Sequence, residues 1–435
     1  MTGAMRRLLA SLSLAPLLLA PGVAAADTLE DALAAAYRNN PNLEDARLAV
    51  RSAREDSVQA FASYLPTLGL TSSYGLRNVE TETTSIFGPT TTDAELEPRT
   101  ASVQLQQQLY TGGRRDGQRD LARAGVEGAR HVLRSTEQDV LLAAVDAYLS
   151  VRRDEEILRL RQEHVQGLER QLSGTRRRLD VGEVSRTDLA QAQTRLAGAR
   201  AAAARAEADL AASRARYELI VGKPADELAP VERPATPETL DYAVRAAEER
   251  HPDVLRAISD RRAARARVEV ERAGLRPQVS FVGRYDRLED SSVENDRSEG
   301  ASAVAQLSVP LFEGGFARSR VRQGRINVQR AEARIEGERR EVVANVVAAW
   351  NNLEAGRDIV EAANEQVAAA EEAVVGAERE RGLGLRTTLD VLNAEEERRN
   401  AQISLVSAEA EYTFSAYALL AATGALTIQT LGVKE

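Results

Sequence analysis

Along this chain the spacing of apolar residues runs helical, then alternating, then helical again, and the same succession occurs twice. Each copy opens on a short helix, Leu29 to Arg38 and Leu240 to Glu249. A proline follows at Pro41 and at Pro252, where its fixed φ suits the first turn of a second helix. That helix ends near Pro66 in the first copy and near Pro277 in the second.

Beyond those prolines the period becomes two. Between Thr67 and Leu76 one face carries Leu68, Leu70, Tyr74 and Leu76, the other Thr67, Gly69, Thr71, Ser73 and Gly75. A return strand sets Val103, Leu105 and Leu109 against Ser102, Gln104, Gln106 and Gln108. In the second copy Val279, Phe281 and Tyr285 oppose Gln278, Ser280 and Arg284; then Ala305, Leu307, Val309 and Leu311 oppose Val304, Gln306 and Ser308. Hairpins with one apolar face and one small or polar face suit a water-filled membrane barrel, and equally two hairpins resting on a soluble core. Four strands leave two open edges and cannot enclose a lumen, so if they cross a membrane several chains must share one barrel.

Gly112-Gly113 and Gly314-Gly315 follow the return strands and permit a tight turn into a helix. From Arg114 to Leu179, and again from Phe316 to Arg381, there is no proline, enough for two helices of roughly 100 Å each. Ala143, Ala147, Val151 and Ala344, Ala348, Leu353 are read as their apolar stripes. Helices of that length outrun a single-domain core and must pack in a bundle, between subunits as well as within one. Both end in a glycine turn, Gly182 before Val184-Ser185 and Gly384 before Leu385-Arg386-Thr387. Ser185 with Asp188, and Thr387 with Asp390, have the spacing of capping boxes that start the return helices.

The repetition is one of a whole half-subunit. Residues 29–74 match 240–285 at a constant offset of 211, through pairs such as Pro41/Pro252, Pro66/Pro277 and Tyr74/Tyr285. A second block matches at an offset of 202, through Leu105/Leu307, Tyr148/Trp350, Gly182/Gly384, Asp188/Asp390 and Gly222/Gly424. The change of offset places nine extra residues between Tyr74 and Leu105, the expected site of a variable surface loop. Residues 27–222 thus form the first repeat and 238–435 the second. The linker, residues 223–237, carries Pro224, Pro230, Pro234 and Pro237.

Composition narrows the compartment. Arg6 and Arg7 lead an apolar stretch from Leu8 to Leu19 that ends in Ala24-Ala25-Ala26, the layout of a secretory signal over residues 1–26, with Asp27 as the expected mature start. Losing that leader makes a chain of formal charge −9 more acidic still, which argues against nucleic acid as a partner. An exported chain with no cysteine has neither disulfides nor an N-terminal lipid attachment through cysteine. Aromatics make up only 4% and alanine is abundant, which suits closely packed helices. Past the leader no apolar run approaches the ~18 to 20 residues of a membrane helix, so strands must make any crossing.

Enzyme chemistry finds no support. His131, His164 and His251 lie far apart in sequence and are read as solvated surface residues, so no metal cluster or nucleophile-base pair is indicated. The double glycines lack the GxxxxGK[ST] pattern of a phosphate loop, and Lys223 is followed by Pro224. No catalytic residue, metal or cofactor is expected. The competing non-enzyme class is a periplasmic coiled-coil adaptor or scaffold, which should have one helical hairpin and a compact β-domain.

The duplicated openings TLEDALAAAYRNNP and ETLDYAVRAAEERHP, the strand starts LPTLGLTSSY and LRPQVSFVGRY, the turns LYTGGR and LFEGGF, and the tips GEVSRTDLAQAQ and GLRTTLDVLNAE together resemble the TolC family of outer-membrane efflux and secretion channels. The resemblance spans Asp27 to Leu431 and implies a mainly α protein with a membrane β-barrel part. In that arrangement long antiparallel helical hairpins form a periplasmic tunnel, and four strands per chain enter a shared twelve-stranded barrel in a homotrimer. It also implies outer-membrane lipid around the barrel. A periplasmic adaptor (membrane fusion protein) would dock at the tunnel tip and couple to an inner-membrane pump of RND or ABC type.

By motif position the resemblance assigns the periplasmic gate to Arg386, with Thr187 and Asp188 as its partners, and to Asp390 as a ring residue. Asn393 stands where a second ring acid is common. Adaptor contact falls on Gly182, Val184, Ser185, Gly384, Leu385 and Thr387.

Overall fold

The computed structural model describes residues 27–290 and 296–431. The proposed leader lies outside them. The first half contains α1 (Leu29–Asn39), α2 (Pro41–Ala62), four strands β1 (Thr67–Tyr74), β2 (Arg77–Ser85), β3 (Gly88–Leu96) and β4 (Arg99–Tyr110), then α3 (Arg114–Asp180) and α4 (Arg186–Val221). The second contains α5 (Leu240–Arg250), α6 (Pro252–Ala273), β5 (Gln278–Glu289), β6 (Arg297–Ser308), α7 (Phe316–Gly382) and α8 (Thr388–Ala422). Pro41 and Pro252 each open their helix, capped by Asn40 and His251. Helices α3 and α7 both run 67 residues, about 100 Å at 1.5 Å per residue. Among the described residues no helix is long and apolar enough to cross a membrane.

One antiparallel sheet in the order β1-β4-β5-β6 joins the two copies, so β1 and β6 are its open edges. Register decides its faces. Leu70, Val103, Tyr285 and Ala301 are cross-strand neighbours, and so are Leu68, Leu105, Gly283 and Ala303; both rows share a face with Phe281, Ala305, Val279 and Leu307. The opposite face carries Thr71, Ser102, Gln104, Gln106, Ser280, Arg284, Ser302 and Gln306, with Arg284 donating to Gln104 at 2.8 Å. Strands β4, β5 and β6 have 12 residues each, matching the ~9–11 that a tilted strand needs to cross a bilayer.

Three details depart from the pattern-based reading. Pairing slips between Gln108 and Tyr110, so that Tyr110, not Leu109, sits opposite Val279. A bulge adds one residue to one strand and reverses the alternation beyond it. Strand β6 stops at Ser308, leaving Val309 and Leu311 outside it. The nine-residue insertion is no simple loop but a separate hairpin, β2 with β3, with Ile86 and Phe87 exposed at its turn.

The largest buried cluster lies where α1, α2, α3 and α4 meet and includes Leu33, Leu43, Leu141, Val145, Tyr148, Tyr217 and Val221, with Leu426 and Ile428 from the C-terminal segment. The Tyr148 hydroxyl reaches the carbonyls of Asp27 and Ala229, at 2.7 and 2.8 Å, tying both the N-terminal segment and the linker to mid-α3. Burial pushes its pKa up to about 12, so it stays a donor at any physiological pH. On α7 the buried stripe is Val342 and Val346 with Trp350 and Leu353 packed beside them, while Ala344 and Ala348 are exposed in the single chain. Bulkier side chains remove more area per residue and take the core-facing positions.

The histidines are also corrected. His251 is largely buried and caps α6, its Nδ1 accepting from the Asp253 amide at 3.3 Å, while His131 and His164 are half-buried. Burial is the first cause that depresses the pKa of all three.

Candidate functional site

The sequence places the candidate gate and docking residues at the ends of the two long hairpins, α3/α4 and α7/α8. Gly182 and Gly384 adopt φ of +77° and +75°, left-handed values that favour glycine. The amide of Glu183 donates to the Arg178 carbonyl and that of Leu385 to the Glu380 carbonyl, both at 2.9 Å, closing each long helix with a six-to-one bond. Each return helix then starts in a capping box. Ser185 donates its amide and hydroxyl to Asp188, both at 2.8 Å, and Thr387 does the same to Asp390 at 2.9 and 2.7 Å.

Both tip carboxyls are held below the usual carboxylate range. The backbone and hydroxyl of Ser185 do this for Asp188; for Asp390 it is the hydroxyl and then the backbone of Thr387, helped by the Arg386 charge. Both are therefore anionic at neutral pH, Asp188 exposed to water and Asp390 half-buried. Val181, Leu383, Leu385 and Leu389 are exposed on the same ends, with Val184 half-buried between them. A small apolar surface ringed by charge is what a protein partner recognises.

A cleft of about 390 Å³ separates the two tips, and Asp188, Arg178 and Val184 from the first hairpin face Thr387, Leu389 and Leu392 from the second across it. In the single chain the Arg386 Nε donates to Glu380 of its own hairpin at 2.7 Å, while Asp188 is engaged by Ser185. The hairpins are instead joined slightly higher, by a residue that the sequence did not single out. Arg195 of α4 donates to the Asn393 Oδ1 of α8 at 2.7 Å and reaches Glu396 at 3.5 Å. Asn393 thus accepts a hydrogen bond from the other hairpin in the place where a ring acid was expected. An apolar patch of Leu168, Leu172, Leu196 and Leu392 closes the same seam.

Among the described residues no group of His, Asp or Glu is placed to hold a metal ion.

The chain matches the family model described as Outer membrane efflux protein over residues 32–223 and 243–425. It is 33% identical over 414 residues to the outer membrane efflux protein BepC of Brucella suis biovar 1 (strain 1330), covering 94% of this chain and 88% of that one. It is 26% identical to the outer membrane protein TolC of Escherichia coli (strain K12), covering 93% and 84%. Among solved structures, the outer membrane protein VceC of Vibrio cholerae superposes with a TM-score of 0.75 at 21% identity, over 91% of this chain and 96% of that one.

Proposed function

This chain belongs to the outer membrane efflux protein family, and from that premise we propose how it works as an outer-membrane exit duct: three copies close one barrel, and their hairpins form a tunnel that shuts at the tips. The observation that carries the assembly is the pair of open edges on β1 and β6. A bilayer core offers no water to satisfy unpaired strand groups, so each edge must meet an edge of another copy. Three four-stranded sheets make twelve strands, with the row through Leu68 and Leu105 turned to lipid and the row through Gln104 and Arg284 turned to the lumen. The two hairpins and single membrane sheet also speak against an adaptor or scaffold, for which one hairpin and a compact β-domain were expected.

At the closed end, Arg386 releases Glu380 and latches onto Thr187 and Asp188, while Arg195 to Asn393 forms a second link higher on the seam. Asp390 supplies an acidic ring, and Asn393 leaves that ring without its second acid. Substrate arrives from an inner-membrane pump, of RND or ABC type, through a periplasmic adaptor seated on Gly182, Val184, Ser185, Gly384, Leu385 and Thr387. The exposed Leu383 and Leu385 supply the apolar part of that seat.

Membrane fractionation tests the placement, with the N-terminus read by mass spectrometry. The protein is expected to float with the outer membrane and to begin at Asp27, whose amide and carboxylate are already held by the Glu227 carbonyl and Lys223, each at 2.8 Å. A membrane-bound form that keeps Arg6 and Arg7 would contradict it.

A further inference from the structure

A second cavity, of about 180 Å³, opens between the hairpins roughly 15 Å above the tips, counting the helix rise from the start of α4 to Arg195. Arg161 and His164 of α3, Arg195 of α4, and Glu396 and Arg399 of α8 line it. Glu396 is committed to Arg195. Arg399 is only 8% exposed; its Nη1 donates to the Leu160 carbonyl at 3.1 Å, but its Nε is buried with no partner. Among the described residues neither Arg399 nor Arg161 has an ion-pair partner, so the lining holds three guanidiniums against one carboxylate.

A guanidinium taken out of water without a counter-charge is strongly disfavoured unless something anionic reaches it. Glu163 and Glu395 act on Arg399 from a distance, opposed by Arg161 and Arg398, and burial lowers the Arg399 pKa before any of them. Glu163 is itself engaged by Arg159. His164 feels the same surroundings: burial and then the Arg399 charge depress its pKa, leaving a neutral ring able to donate one hydrogen bond.

We infer that this cavity is a binding site for a phosphate-class oxyanion, held by Arg399 and Arg161 with His164 as a neutral donor. Guanidinium forks match tetrahedral oxyanions better than they match a spherical halide. The volume is that of about six waters, room for such an anion and part of its hydration. Because the lining comes from α3, α4 and α8, the anion ties the two hairpins together beside the Arg195 link. This inference rests on the cavity within one chain and does not require the proposed Arg386 latch.

Titration calorimetry of the purified full chain in detergent tests it, with inorganic phosphate added at fixed ionic strength in chloride. The parent should show saturable binding at one site per chain, weakened at least tenfold in Arg161→Gln and in Arg399→Gln. Arg161 is partly exposed, so Arg161→Gln keeps the test valid if the buried Arg399→Gln fails to fold. Exposed Arg200, which pairs with Glu169, gives the control: Arg200→Gln should bind as the parent does. No saturable uptake, parent-like affinity in Arg161→Gln, or a carboxylate of a neighbouring copy filling the cavity would each overturn the assignment.

Discussion

Leu105→Arg is expected to abolish assembly in the outer membrane, while Gln104→Arg, one residue away, leaves a working channel. Leu105 lies in the apolar band beside Leu68, whereas Gln104 is on the other face and already contacts a guanidinium, that of Arg284. A cation on the lipid face near the bilayer midplane costs roughly 2–4 kcal/mol, and a trimer carries it three times. On the lumen face the same charge remains in water and alters only ion passage. Heat-modifiable migration and outer-membrane yield measure the contrast. Equal tolerance of both substitutions would mean that the sheet does not cross a membrane.

The second large effect is at the seam. Arg195→Ala combined with Arg386→Ser is expected to raise single-channel conductance in planar bilayers above either single variant, with the oligomer intact. Arg195 makes the observed bond to Asn393 and approaches Glu396; Arg386, which donates to Glu380 in the single chain, is the proposed latch onto Thr187 and Asp188. Links this exposed are worth on the order of 1 kcal/mol each. In a trimer each single variant breaks three equivalent links and shifts the open-to-closed ratio by on the order of 100-fold, and the double variant breaks six and shifts it further. Asp390→Ala should instead change cation selectivity, since an acidic ring acts through its field. If the double variant conducts as the parent does, the seam does not hold the gate and these residues only cap and pack helices.

Much of this was legible in the sequence because its signals are local or periodic. Pro41, Pro252, the double glycines, and Ser185 with Asp188 fix helix starts by short-range geometry, and each stands where the spacing put it. Alternation in β1 and β5 gave the faces of the sheet. The β2–β3 hairpin was hidden because Glu80-Thr81-Glu82-Thr83-Thr84 is polar on both faces and shows no alternation. The bulge at Leu109 changed the parity of a strand without leaving a mark in composition.

Arg195 was missed for a different reason. Its partner Asn393 is 198 residues away, and their meeting depends on how two hairpins pack, which no spacing rule reports. The same holds for the alanines of α7: small residues satisfy a helical stripe on more than one face, and the buried one is chosen by Val342 and Val346.

The shared barrel is the claim on which the rest depends, and the mass of the detergent-solubilised outer-membrane protein tests it most directly. Light scattering or native mass spectrometry in micelles should return three chains, because β1 and β6 are open edges and the proposed barrel closes only by pairing them between copies. A stable, folded, membrane-inserted monomer would contradict the account.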